Sequence, residues 1–133
     1  MKHILVVEDD TINAVVFRRI LERRGGYRVT VSDAGPEVLE LVRSGGVDLV
    51  VMDVSLARTE VEGKAMSGVD LCRLFKADPR TAAIPVLLAT AHAMRGDAER
   101  LIKESGADGY VAKPIVDHAG FVKIVDDLAR KAA

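Results

Sequence analysis

The chain has 133 residues, 49% of them hydrophobic and 29% charged, with a formal net charge of −1. That length supports one core of ordinary size and is short for two, and clustered apolar residues exclude a disordered chain. The near-zero charge gives no bias toward nucleic acid or an anionic membrane. A single cysteine, Cys72, excludes an intrachain disulfide; near Leu71, Leu74 and Phe75 it reads as a small buried hydrophobe. No stretch reaches the ~18 apolar residues that span a bilayer, and Ile4 to Val7 is shorter than the ~7–15 of a secretory signal. A cytoplasmic protein without membrane insertion is expected.

In chain order, a short apolar run followed by an amphipathic stretch recurs five times. The first strand is predicted over His3 to Val7 and the first helix over Thr11 to Arg24, where Phe17, Ile20 and Leu21 share a face and Gly25-Gly26 ends it. A strand over Arg28 to Ser32 leads to a helix over Pro36 to Arg43, with Pro near its start and Gly45-Gly46 beyond its end. The third strand, Asp48 to Met52, is separated from a helix over Val69 to Lys76 by Val54 to Ser67. Most such loops run ~2–6 residues, so a connection this long is expected to be functional, mobile or a neutral surface insertion. Asp78-Pro79 stops the third helix. A strand over Pro85 to Ala89, a helix over Arg95 to Glu104 closed by Gly106, a strand over Gly109 to Ala112 and a helix over Asp117 to Lys131 complete the pattern. Strands that are almost continuously Val, Leu, Ile or Met suit a parallel sheet covered by helices on both faces, built from right-handed βαβ units. The five units fill residues 1–133 as one domain, leaving no room for a second.

In open α/β sheets ligands bind beyond the carboxyl ends of the strands. Those ends carry Glu8-Asp9-Asp10, Ser32-Asp33, Asp53, Thr90 and Lys113-Pro114. Each has an ordinary structural use; Asp10 and Thr11, for example, suit the start of the first helix. Their joint placement on one edge of one sheet points to a shared site. Carboxylates packed together repel, by roughly 4 kcal/mol per pair at ~4 Å and an effective dielectric of ~20, and a cation relieves this. An all-oxygen donor set with room for water suits Mg2+. A phosphoryl group there would meet the cation, the Lys113 ammonium and the Thr90 hydroxyl, and an Asp could act as nucleophile to form an acyl phosphate.

Four motifs carry a family resemblance across nearly the whole chain, from about Lys2 to Arg130: ILVVEDD at 4–10, DLVVMD at 48–53, IPVLLATA at 84–91 and DGYVAKP at 108–114. In this order and spacing the sequence resembles a response-regulator receiver domain of two-component signalling, of the stand-alone type with no output domain. The resemblance implies a flavodoxin-like, doubly wound five-stranded parallel sheet of order 2-1-3-4-5. It implies that Asp53 accepts phosphate from a histidine kinase or a histidine phosphotransfer protein, with Thr90 and Lys113 holding the phosphoryl oxygens. Asp9, Asp53 and the backbone carbonyl of Ser55 would bind Mg2+ (or Mn2+), and Glu8 would hold a metal-bound water. Thr90 and Tyr110 would form the switch that alters the face of helix four, strand five and helix five toward a downstream protein target. Ser55 and His92 stand where the family tunes dephosphorylation, and a cis bond is implied between Lys113 and Pro114. Such a protein is a monomer or weak homodimer, binds no nucleic acid, and is no enzyme beyond its own phosphorylation and dephosphorylation.

Two positions depart from the pattern. Ala57 replaces the usual Pro four residues after the acceptor, and the usual Gly about eight residues after it is matched only by Gly68, fifteen after. About seven residues are thus inserted beside the phosphate. TAHAMRGD at 90–97 is most similar to the cell-cycle and hybrid-kinase type. Val15 falls opposite the core face of the first helix, where relatives dock helical partners, while Arg18, Arg19, Arg23 and Arg24 read as a solvated face. Three other readings remain open: a receiver-like interaction module that takes no phosphate, an aspartate-nucleophile phosphatase of the haloacid dehalogenase type, and an FMN-binding flavodoxin. The phosphatase would need D-x-D after the first strand, where Glu8 stands in the first place, and Glu8-Asp9-Asp10 would repel an FMN phosphate.

Overall fold

The computed structural model describes residues 2–56, 59–91 and 97–131. Ala57, His92 and the predicted start of the fourth helix at Arg95 lie outside these. In chain order the elements are β1 (His3–Val7), α1 (Thr11–Arg23), β2 (Arg28–Ser32), α2 (Gly35–Arg43), β3 (Leu49–Asp53), β4 (Glu60–Val61), β5 (Lys64–Ala65), α3 (Gly68–Ala77), β6 (Val86–Thr90), α4 (Asp97–Ser105), β7 (Gly109–Ala112) and α5 (His118–Lys131). Five strands form a parallel sheet in the order β2-β1-β3-β6-β7, which is the expected 2-1-3-4-5 order once the small β4–β5 hairpin is set aside.

The period-two geometry of strands divides the core. In β1, Ile4 and Val6 point to a cluster with Phe17, Ile20 and Leu21 of α1 and Phe121 and Val125 of α5. Leu5 and Val7 point to the opposite cluster, with Val38 and Val42 of α2 and Leu71, Cys72 and Phe75 of α3. Both faces are therefore dry, which is why β1, β3 and β6 are buried along their full lengths. The Phe17 and Phe121 rings, centroids 5.7 Å apart, tie α1 to α5. Cys72 is buried as expected, and burial pushes its thiol up to about 11.

Several predicted ends move by a residue or two. The ladder carries β3 through Asp53, paired with Ala89, and β6 through Thr90, paired with Ala112. Both site residues thus stand within the last rung of a strand instead of after it. Pro85 lies outside β6, although its carbonyl still accepts from the Val50 amide at 3.0 Å. Helix starts follow their caps: the Asp10 carboxylate accepts from the amides of Ile12 and Asn13 at α1, and Ser67 with Asp70 forms a capping box at α3.

The long connection is a docked structure. Its β4–β5 hairpin pairs Glu60 with Ala65 and Val61 with Lys64 around Glu62 and Gly63, whose φ values of 52° and 79° suit a two-residue hairpin turn. Val54, Leu56, Val61 and Met66 pack against the α2–α3 side of the core. Gly68 begins α3 where a Cβ would lie 2.0 Å from the Asp53 carbonyl oxygen.

Two substitutions test this packing. Phe75→Ala, at a fully buried ring, should cost about 3–5 kcal/mol in urea unfolding. Gly68→Ala should cost about 1–3 kcal/mol through overpacking against β3, although alanine is the better helix former; an unchanged urea midpoint would contradict the close approach.

Candidate functional site

Because the five strands run parallel, their carboxyl ends share one edge. β1 delivers Glu8 and Asp9 there, β3 ends on Asp53 in the centre, β6 ends on Thr90, and Lys113 follows β7. Glu8, Asp53 and Thr90 are buried, with relative exposures of 4%, 2% and 2%, and Asp9 is half-buried. One carboxylate oxygen from each of Glu8, Asp9 and Asp53 falls within 4.8 Å of the others.

Lys113 compensates this acidity directly. Its Nζ donates to Asp53 Oδ1 at 2.7 Å and to Glu8 Oε2 at 3.4 Å. Its own amide donates to the Thr90 carbonyl at 2.9 Å, extending the β6–β7 ladder to the site. The Lys113–Pro114 peptide is cis. The Ser55 amide donates to Asp53 Oδ1 at 3.2 Å, and the Asp10 amide to Glu8 Oε1 at 3.1 Å. Asp10 itself serves as the α1 cap.

The charges are unequal. Burial, followed by a hydrogen bond shared with Asp53, pushes the Glu8 carboxyl up to about 7, although the Asp10 amide and Lys113 pull the other way. Burial also works against the Lys113 ammonium, but Asp53 and Glu8 outweigh it and raise its pKa. Among the described residues no buried side-chain nitrogen or oxygen lacks a partner. The three carboxylates, with waters and a main-chain carbonyl, make an all-oxygen donor set suited to a hard divalent cation.

The structure thus gathers Glu8, Asp9, Asp53, Ser55, Thr90 and Lys113 at one edge. Tyr110 stands apart from them on β7, 39% exposed, lining a groove of about 420 Å³ with Pro114, Ile115, Val116, Phe121 and Ile124. His92 lies outside the described residues. The Lys113 ammonium sits on Asp53 itself. The sequence alone suggests Val15 on the outer face of α1; Ile12, Val15 and Val16 are exposed together at 76%, 44% and 36%. Their spacing of three and four residues was the available signal. Arg18, Arg19, Arg23 and Arg24 are exposed, as expected of a solvated face.

Comparison with known proteins gives the same picture. The family model of the response regulator receiver domain matches residues 4–126. The chain is 36% identical over 114 residues to the polar-differentiation response regulator DivK of Brucella ovis, covering 86% of this chain and 85% of that one. DivK of Brucella anthropi has the same identity and coverage. Among solved structures, the receiver domain of a sensor histidine kinase from Pseudomonas aeruginosa PAO1, with a magnesium ion coordinated in its active site cleft, is 28% identical with a TM-score of 0.79, covering 97% of this chain and 98% of that one. The receiver domain of a signal transduction histidine kinase from Syntrophus aciditrophicus is also 28% identical, with a TM-score of 0.77 and coverage of 98% and 92%. No helix among the described residues is long and apolar enough to cross a membrane. With a matching fold, a relative 36% identical over 86% of the chain and a family model spanning residues 4–126, this chain belongs to the response regulator receiver domain family of two-component signalling.

Proposed function

We propose that this protein is a single-domain response regulator whose Asp53 accepts a phosphoryl group from the phosphohistidine of a histidine kinase or histidine phosphotransfer protein. The observation that carries this reading is the buried Asp53 carboxylate, held by Lys113 at 2.7 Å with the Glu8 and Asp9 carboxylates beside it. Asp9, Asp53 and the Ser55 carbonyl would hold Mg2+ (or Mn2+), with Glu8 on a bound water; the donor set fits, and the magnesium-bound relative supports the choice. When bound, the cation offsets carboxylate repulsion and draws charge from the phosphoryl oxygens.

An oxygen of Asp53 attacks phosphorus as the phosphorus–nitrogen bond of the donor breaks. The imidazole leaves with that electron pair, and Asp53 becomes an acyl phosphate. Lys113 exchanges part of its contact with Asp53 for a phosphoryl oxygen, and the Thr90 hydroxyl donates to another. Burial of Asp53 limits water access to the acyl phosphate. Thr90 is bound through the β6–β7 ladder to the strand that carries Tyr110. Movement of Thr90 toward phosphate therefore biases Tyr110 and the face of α4, β7 and α5, which meets a downstream protein target. Ser55 and His92 set the rate of phosphate loss. The regulator works in the cytoplasm as a monomer or weak homodimer and converts no separate substrate. The match to DivK, a response regulator, over 85% of that protein's length supports the single-domain reading. The Lys113–Asp53 pair disfavours a module that takes no phosphate, and the phosphatase reading leaves an acid at the end of β3 unused.

Acetyl phosphate with Mg2+ should add one phosphoryl mass to the wild type by intact mass spectrometry. Asp53→Asn should take up none, and chelation of Mg2+ should stop the reaction; an unchanged wild-type mass would sink the proposal. Thr90→Val keeps the shape and removes the hydroxyl. It should slow uptake by about 10²-fold while leaving the folded far-UV spectrum intact.

A further inference from the structure

Two aspartates at the amino edge of the sheet, opposite the site, are built alike. Asp48, just before β3, donates its amide to the His3 carbonyl at 2.8 Å and accepts the His3 amide on its carboxylate at 2.7 Å. Asp108, just before β7, does the same to Val86: its amide donates to the Val86 carbonyl at 2.9 Å, and its Oδ2 accepts from the Val86 amide at 2.8 Å. His3 and Val86 are the first residues of β1 and β6. Each aspartate therefore clamps the opening residue of the neighbouring strand with one main-chain and one side-chain bond. Five residues beyond Asp48 stands Asp53, and five beyond Asp108 stands Lys113. The two partners of the central ion pair lie at the same distance from a matching clamp.

The two strands differ in what else fixes them. β3 is buried along its whole length, so burial already specifies its register. β7 is a four-residue edge strand in which only Val111 is buried. A strand with so little buried side chain is weakly specified in register. The Asp108 clamp is reinforced at this weaker place. Lys76 of α3 donates to Asp108 Oδ2 at 2.9 Å, and its remaining donors go to the carbonyls of Ala82 and Ile84, at 3.1 and 2.8 Å, in the chain leading into β6. A partly exposed ion pair of this kind adds little stability; what it fixes is the direction of the Asp108 carboxylate.

From this clamp to the site every rung is paired. Leu87 pairs with Gly109, Leu88 with Tyr110, Ala89 with Val111 and Thr90 with Ala112. The Lys113 amide then donates to the Thr90 carbonyl at 2.9 Å, and its Nζ to Asp53 Oδ1 at 2.7 Å. A slip of one residue in β7 would carry the Lys113 backbone about 3.3 Å along the strand and turn its side chain to the other face of the sheet.

We infer that Asp108 is a positioning residue for Lys113: by clamping Val86 it sets the register of the edge strand, and with it the place of the Lys113 ammonium on Asp53. Lys76 acts through Asp108 by holding its carboxylate on the Val86 amide. The consequence for phosphoryl uptake rests on the proposed phosphoryl-accepting site; the placement of Lys113 does not.

The test compares Asp108→Ala and Asp108→Asn, each in the wild-type and the Lys113→Met background, with urea unfolding alongside. Two quantities are read: the acetylation rate of Lys113 by peptide mapping, and the rate of phosphoryl uptake from acetyl phosphate at saturating Mg2+. The Lys113 side chain is 11% exposed on Asp53, so it should react slowly in the wild type and about three- to tenfold faster in Asp108→Ala. Asparagine keeps an oxygen for the Val86 amide, so Asp108→Asn should stay close to wild type. Uptake should fall about three- to tenfold in Asp108→Ala. The same substitution should slow Lys113→Met no further, because the residue it positions is gone. A purely structural role would slow uptake equally in both backgrounds, and that result overturns the inference. An unchanged Lys113 acetylation rate in folded Asp108→Ala also overturns it, as does an Asp108→Asn variant as altered as Asp108→Ala. If Asp108→Ala does not fold, Lys76→Met decides by the same readouts: faster acetylation of Lys113 supports the inference and a wild-type rate overturns it. If the wild type gains no phosphoryl group, the proposed function fails, and acetylation still decides whether Asp108 places Lys113.

Discussion

Carboxylates gathered at the end of a buried sheet resist being there. At an effective dielectric of ~20 and ~4 Å, each ionised pair costs roughly 4 kcal/mol, which is a large part of the net stability of ~5–15 kcal/mol of an ordinary domain. Two devices in the protein itself moderate this. Lys113 sets its ammonium on Asp53 and within reach of Glu8, and Glu8, pushed up to about 7, need not be fully ionised at neutral pH. The edge is therefore stable enough to fold and still rich in oxygen donors. A site so poised favours an added cation, which offsets the negative charge already concentrated there.

The sheet makes this arrangement possible. β1, β3 and β6 are adjacent and parallel, so Asp53 lies in the middle of the edge with Glu8 and Asp9 on one side and Thr90 on the other. Lys113 reaches it from β7 because its backbone still pairs with Thr90. The two dry cores below hold those strands in register. Gly68 then lets α3 begin against the Asp53 backbone itself. Packing and chemistry meet at that contact, since a larger residue would push on the strand that carries the proposed acceptor.

Much of this was readable in the sequence for one reason: strands buried on both faces are continuous apolar runs, so the polar residue that ends each one stands out. Glu8, Asp9, Asp53 and Thr90 announce themselves in this way, whereas Lys113 follows the largely exposed β7 and is marked by the DGYVAKP motif instead. What stayed hidden has equally physical causes. The hairpin strands are two residues long, and Glu60 to Ala65 contains too little apolar alternation to mark a strand. Its turn places Glu62, and not the more usual Asn or Asp, at positive φ. Thr59 gave no signal, because its partner is a main-chain carbonyl 26 positions away. Strand ends at Asp53 and Thr90 depended on pairing partners in other strands, which local periodicity does not report. The exposed cluster of Ile12, Val15 and Val16 was present in the spacing and needed the full helical face to be seen.

The connection after β3 changes meaning once its anchors are known. As a bare sequence it is an insertion of uncertain use; as a folded segment it adds Val61 and Met66 to the α2–α3 core, and its Thr59 hydroxyl donates to the Asp33 carbonyl in the turn before α2. Treatment of the phosphorylated protein with tritiated borohydride reduces an acyl phosphate to an alcohol and labels the residue that carried it. Peptide mapping should place the label at residue 53 alone, in a Mg2+-dependent manner. Label at Asp9, at Asp10 or on no carboxylate at all would contradict an acceptor at the end of β3.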